Sequence, residues 1–317
     1  MKETNLPLNP RIRSGLDRAR DLPAWSSLPP ADARLALAAQ VSAFRITAPA
    51  VASVDRVITV EGREIPMRLY APPGEGPFPL LIYFHGGGFV LGSIDTHDAT
   101  CRFLCDGTAA MVMSVGYRLA PENRFPAGLQ DCMAALQWAA AHADELGVDP
   151  ARMAIGGDSA GGTMATVTAM RARDAGGPPL CAQVLIYPVT DYVNLERSSY
   201  IECAEGFGLT RADMEWFWAH YLGDDLQTDN PLVAPLKAKN LSGLPPAFIV
   251  TAEYDVLRDE GELFAEKLRA AGTPTQLVRC LGMNHGFWIL ASILDEATES
   301  VQQVCAWLRE RFNTTIP

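Results

Sequence analysis

From Val57 onward, short apolar runs alternate with stretches whose apolar residues recur every three or four positions. The runs are Leu80–Phe84, Met111–Val115, Met153–Ile155, Val184–Tyr187, Ala247–Thr251 and Gln276–Cys280; helical patterns occupy Leu129–Leu146 and Glu260–Ala271. A short run without polar alternation suits a strand buried on both faces. Strands alternating with helices predict an α/β fold, with a mostly parallel sheet, right-handed crossovers and helices on both faces. Two earlier strand-like pieces, Val57–Val60 and Ile65–Tyr70, are expected to add antiparallel strands at one edge.

Two regions break that rhythm. Residues 1–50 are Pro-rich, with one helical segment around Ala31–Phe44, and Asp191–Asp225 interrupts the strand–helix order. Within the second region Thr210-Arg211-Ala212-Asp213 reads as a capping box. Met214, Phe217, Trp218, Tyr221 and Leu222 then line one helical face. Ligands of parallel sheets bind at the C-terminal strand ends, so an insertion there is expected to cover the site. The expected division is a cap, built from residues 1–50 and an insertion at about 191–225, over a body of residues 51–317. Packing of cap onto body accounts for most of that face, and Phe217 and Trp218 are candidates for the wall of an acyl pocket.

The chemistry is concentrated in two glycine clusters. Met153-Ala154-Ile155 leads into Gly156-Gly157-Asp158-Ser159-Ala160-Gly161-Gly162, and a helix-compatible run follows. This is G-x-S-x-G between a strand and a helix, the context of a nucleophile elbow. A serine on so sharp a turn presents its hydroxyl above the sheet, and only tiny residues fit two positions before and after it. The alternative, a plain Gly-rich turn or nucleotide loop, lacks both a Gly-Lys-Ser/Thr ending and a spaced G-x-G-x-x-G.

A serine nucleophile needs a base. Of the five histidines, His142 falls in an Ala-rich helix and His220 in the insertion helix. His97, in Asp95-Thr96-His97-Asp98, suggests a metal at first sight, but a helix start capped by Asp or Thr explains the run without one. His85 adjoins the other glycine cluster and is expected to brace it. His285 follows a strand, C-terminal to the serine, and is the expected base. The orienting acid should lie between them, where Asp255 ends a strand; Glu253 and Asp259 remain alternatives. Attack on a carbonyl builds negative charge on its oxygen, which pre-aimed backbone N–H groups stabilise. Gly86, Gly87 and Gly88, with Ala160 at the helix start, are the expected oxyanion hole, bare so that no side chain meets the substrate.

Composition narrows the partners. A net charge of −11 without any Lys/Arg block argues against nucleic acid. Seven cysteines without regular spacing do not form a disulfide framework, and Cys101 and Cys105 read as helix thiols rather than half a metal site. Met1–Arg20 has no apolar core of a signal peptide and no run spans a bilayer, so a cytoplasmic protein without membrane contact is expected. No metal or other cofactor is required.

Five stretches, in this order, resemble the hormone-sensitive-lipase-like carboxylesterases, the bacterial family IV esterases of the α/β-hydrolase fold. They are His85-Gly86-Gly87-Gly88-Phe89, Tyr117-Arg118-Leu119-Ala120-Pro121-Glu122, Gly157-Asp158-Ser159-Ala160-Gly161-Gly162, Asp255-Val256-Leu257-Arg258-Asp259-Glu260 and His285-Gly286-Phe287. The resemblance implies Ser159, Asp255 and His285 as triad, oxyanion donors at Gly87, Gly88 and Ala160, and a mainly helical cap. It implies hydrolysis of short- to medium-chain carboxylic esters through an acyl-enzyme, without cofactor. It leaves self-association open, since the family holds monomers and oligomers. Val256 departs from the family's usual proline, which touches turn rigidity rather than chemistry. A serine amidase or peptidase would use the same residues, and a non-catalytic receptor on this scaffold would be expected to lack a triad member.

Overall fold

The structure, a computed structural model, describes residues 7–192, 196–224 and 229–313. Among the described residues one eight-stranded sheet carries the fold. Its strands are β1 (Ala52–Val60), β2 (Arg63–Ala71), β3 (Phe78–Phe84), β4 (Met111–Val115), β5 (Val148–Asp158), β6 (Ala182–Ile186), β7 (Ala247–Tyr254) and β8 (Thr275–Asn284). They lie in the order β1-β2-β4-β3-β5-β6-β7-β8. β1 and β2 run antiparallel at one edge, as the first two apolar pieces predicted, and β4, β3 and β5 to β8 run parallel.

The helices are α1 (Pro10–Ala19), α2 (Pro30–Phe44), α3 (Asp98–Thr108), α4 (Ala127–Ala141), α5 (Ala143–Leu146), α6 (Ala160–Asp174), α7 (Ser198–Glu202), α8 (Arg211–Leu222), α9 (Arg258–Ala270) and α10 (Asp295–Phe312). In β3 the pleat sends Leu80, Ile82 and Phe84 into one core with residues of α4, α6 and α9. Leu81 and Tyr83 enter the other core with residues of α3 and α10. Burying each such side chain contributes about 1.5–3 kcal/mol, which is why the central strands tolerate no polar alternation. No helix among the described residues is long and apolar enough to cross a membrane.

The two regions outside the strand–helix rhythm meet in space. The capping box forms: Thr210 Oγ1 accepts from the Asp213 N–H at 3.0 Å, and Asp213 Oδ2 from the Thr210 N–H at 3.1 Å. Asp213 Oδ1 also accepts from the Ser26 N–H at 3.0 Å, tying α8 to the N-terminal segment. Arg13 stacks over the Phe207 ring, joining α1 to the insertion. The helix α1 was not anticipated. Pro10 occupies its first position, and Asn9 caps it by accepting from the Arg11 N–H. Val193 to Leu195 and Asp225, which belong to the expected insertion, lie outside the described residues, as do the first six residues.

Glu260 roots the insertion in the body. Its carboxyl is buried and accepts from the N–H groups of Thr190 at 2.8 Å and Asp191 at 3.1 Å, beside the Tyr200 hydroxyl. Burial holds it well above the usual carboxyl range, the two N–H bonds pulling the other way. The unfolded residue releases its proton near pH 4.3, roughly, whereas the folded one keeps it to higher pH. Stability from this group is therefore present at low pH and lost as pH rises through that interval. Glu260→Gln keeps an acceptor for both N–H groups and abolishes that loss. Its melting temperature relative to the wild type should rise between about pH 5 and pH 8. A falling difference would mean that an ionised Glu260 stabilises the fold.

Candidate active site

Ser159 sits between β5 and α6 with φ 55° and ψ −123°, a conformation that side-chain-bearing residues rarely adopt. Backbone bonds on both sides hold it there: its N–H donates to the Ile186 carbonyl at 2.8 Å, and its carbonyl accepts from Gly162 at 2.9 Å and Val189 at 3.2 Å. The flanking glycines are required by space. A Cβ on Gly157 would lie 2.4 Å from the Gly161 carbonyl oxygen, and one on Gly161 would lie 2.0 Å from that of Phe84.

Above this turn the three expected residues meet. His285 Nε2 is 2.9 Å from Ser159 Oγ, and Nδ1 is 2.7 Å from Asp255 Oδ2. With Nδ1–H given to the carboxylate, the Nε2 lone pair faces the serine hydroxyl. Asp255 is buried, and its other oxygen accepts from the Leu257 N–H at 2.9 Å. The alternatives for the acid point elsewhere. Glu253 Oε2 accepts from the Gly282 N–H at 2.7 Å, and Asp259 is engaged by Ser199 N–H and Arg258. The Tyr187 ring lies 4.6 Å from the His285 ring, centre to centre. Val256 is wholly buried and its carbonyl accepts from Ser199 Oγ at 2.7 Å, so side-chain burial and an insertion contact brace the turn in place of a proline.

The glycine loop lies beside Ser159, and the structure corrects two expectations about it. The Gly86 N–H is already engaged by Asp158 Oδ1 at 3.0 Å, with His97 Nε2 3.3 Å away, so Gly86 shapes the loop rather than offering a free donor to an oxyanion. Among the described residues no hydrogen bond engages the N–H of Gly87 or Gly88, or that of Ala160, which as the first residue of α6 has no partner within the helix. Nor are the glycines bare merely for a substrate. A Cβ would lie 2.3 Å from Asp158 Oδ2 at Gly86, 2.3 Å from the Leu91 carbonyl oxygen at Gly87, and 2.2 Å from the Phe217 ring at Gly88. The loop is compressed against its own protein.

Those contacts separate the two aromatic candidates. Phe217 lies against Gly88, on the loop itself. Trp218 is fully buried one step further back, among Phe89, Tyr192 and Tyr221. His142 bonds to the Trp138 carbonyl and His220 packs on Trp216, both away from the serine. His85 braces the loop as expected, through Nδ1 and the Gly86 carbonyl at 2.8 Å. His97 differs from expectation. Neither the short turn Asp95–His97 nor α3 has a side-chain cap. Ser93 and Thr96 pair reciprocally ahead of them, Ser93 N–H to Thr96 Oγ1 and Thr96 N–H to Ser93 Oγ, while the His97 ring turns inward to Asp158. Among the described residues no group of three or more His, Cys, Asp or Glu side chains could hold a metal ion.

A family model described as the alpha/beta hydrolase fold matches residues 81–289. The carboxylic ester hydrolase LipN of Mycobacterium tuberculosis is 45% identical over 256 residues, 79% of this chain and 68% of that protein. The carboxylesterase NlhH of the same organism is 44% identical over 264 residues, 82% of each chain. A crystal structure of a thermostable esterase from Pseudomonas putida ECU1011 superposes with a TM-score of 0.94 at 35% identity, covering 98% of this chain and 100% of that one. With a serine elbow, a histidine and a carboxylate aligned at the ends of a parallel sheet, the chain belongs to the hormone-sensitive-lipase-like carboxylesterases of the α/β-hydrolase fold.

Proposed function

We propose that Ser159, His285 and Asp255 hydrolyse small carboxylic esters through an acyl-enzyme. Ser159 Oγ attacks the ester carbonyl while His285 Nε2 takes its proton. Asp255 fixes the imidazole's tautomer and stabilises the imidazolium that forms. The N–H groups of Gly87, Gly88 and Ala160 receive the oxyanion. His285 then gives its proton to the departing alcohol, and water activated by the same imidazole releases the acid. The observation that carries this reading is the continuous hydrogen-bonded line Asp255–His285–Ser159. Its test is covalent capture: an organophosphonate should attach to Ser159, seen by peptide mass spectrometry, and attachment elsewhere would remove the assignment.

We further propose that the N-terminal segment, residues 1–50, and the insertion at about 191–225 act as one cap, with Phe217 as the wall over the acyl pocket. A ring pressed on the oxyanion loop limits the depth available to an acyl chain, and each methylene left outside forgoes about 0.8 kcal/mol of burial. kcat/KM should therefore peak at short acyl chains. Phe217→Ala should move that peak to longer chains across a series of p-nitrophenyl esters. Trp218→Ala should leave the peak in place and lower stability by about 3–5 kcal/mol, because its ring fills the space behind the wall. A shift in the Trp218 variant, with none at Phe217, would reverse the two roles.

A further inference from the structure

Behind the oxyanion loop lies a second histidine–carboxylate pair, in which His97 Nε2 is 3.3 Å from Asp158 Oδ2 and both side chains are buried. Asp158 immediately precedes Ser159, and its other oxygen accepts from the Gly86 N–H at 3.0 Å and from the Tyr83 hydroxyl at 2.8 Å. This one carboxylate thus joins the serine's own turn to the glycine loop.

The proton positions follow from the donors available. Thr96 Oγ1 donates its hydrogen to the Ser93 carbonyl at 2.9 Å. With that hydrogen so placed, Oγ1 accepts from His97 Nδ1, 2.9 Å away, and the Ser93 carbonyl at 3.4 Å is a second acceptor for an Nδ1–H. The reverse direction, Oγ1–H to a bare Nδ1, would make the ring neutral with its hydrogen on Nε2. On the other side Nε2 faces a carboxylate oxygen, and a bare lone pair there would meet another lone pair. We propose that His97 is a resident imidazolium that holds Asp158 ionised and in register, and is a positioning residue for the oxyanion loop.

The electrostatic reason is specific to the reaction. Asp158 places a negative charge behind the loop that must receive a developing oxyanion, and uncompensated it would oppose that charge. The imidazolium cancels it and leaves Asp158 free to anchor Gly86. Burial works against the charge on His97, but the Asp158 carboxylate and its hydrogen bond raise His97 above the ordinary histidine value. Burial likewise opposes ionisation of Asp158, and the His97 charge with the bonds from His97 and Tyr83 lowers it. His85, whose ring is 5.5 Å from that of His97, is pushed down to about 4 by burial and then by His97, so the two rings carry a single positive charge between them. The other titratable groups facing the pair are Tyr83, Tyr117, Tyr187 and Cys101, each kept neutral first by burial.

The inference rests on the esterase reading, which phosphonate capture at Ser159 tests by itself. The direct test is the imidazole nitrogen spectrum of the ¹⁵N-labelled wild-type protein. His97 should show two protonated nitrogens at about pH 8, where an ordinary histidine is neutral. The rival states are neutral rings, one protonated at Nδ1 with Nε2 accepting from the Gly86 N–H 3.3 Å away, the other protonated at Nε2 with Nδ1 accepting from Thr96 Oγ1; finding either at neutral pH would overturn the proposal. Kinetics supply the second test. His97→Gln should lower kcat by about 10- to 100-fold with KM nearly unchanged, less than deleting an oxyanion donor outright. Adding Asp158→Asn should recover part of that loss, because a neutral amide pair removes the stranded charge. A double variant as slow as His97→Gln alone, or slower, would show that shape and not charge matters.

Discussion

Replacing Ser159 with alanine is expected to lower kcat by about 10⁴-fold or more, to the residue that the oxyanion donors and binding alone supply. The change deletes the hydroxyl 2.9 Å from His285 and nothing else in the triad. The backbone at that position is fixed by bonds to Ile186, Gly162 and Val189, none of which involves the side chain. Alanine meets the same positive φ as serine, so the melting temperature should stay near that of the wild type. Ester turnover measured beside a thermal melt separates loss of chemistry from loss of fold. A variant that kept a tenth of wild-type kcat, roughly, would mean that the acyl group is carried elsewhere.

The second large effect belongs to Asp255→Asn. The carboxylate takes the Nδ1 hydrogen at 2.7 Å, which leaves Nε2 bare toward the serine. An amide of the same shape offers either its oxygen or its NH₂. The Leu257 N–H holds the oxygen, so the NH₂ faces Nδ1 and favours the tautomer with its hydrogen on Nε2, and nothing compensates the imidazolium when it forms. Turnover should fall by about 10⁴-fold with KM little changed, because the interaction matters most in the transition state. Asp259→Asn is the control, since that carboxylate serves the Ser199 N–H and Arg258. A mild effect at Asp255 with a severe one at Asp259 would move the acid.

How much of this was legible beforehand depends on whether a residue's role is local. Leu80–Phe84 and Met111–Val115 could be read as strands because burial on both faces keeps charged residues out of the run itself. The elbow could be read because its glycines, strand and helix adjoin Ser159 in sequence. The helix α1 escaped because its short segment buries little beyond Ile12, and its start depends on Asn9 and Pro10 rather than on an apolar stripe. His97 escaped for a different reason: its partner is Asp158, 61 residues away, and nothing near His97 announces it. Phe217 and Trp218 are neighbours on one helix with equal apolar character. Only the fold shows one ring on Gly88 and the other behind Phe89.

The insertion touches the body at two telling places. Ser199 Oγ holds the carbonyl of Val256, the residue after Asp255, and the Phe207 carbonyl takes a bond from Asn284, the residue before His285, at 2.8 Å. The acid and the base are therefore each one peptide from an anchor of the insertion. If the insertion is the proposed cap, loosening it disturbs the acid and base it is anchored to. Descendants of this sequence that open the cover for bulkier esters would be expected to slow on small ones as well, through misalignment rather than weaker binding. On the proposed cap, breadth of substrate and speed of turnover would be coupled by two hydrogen bonds.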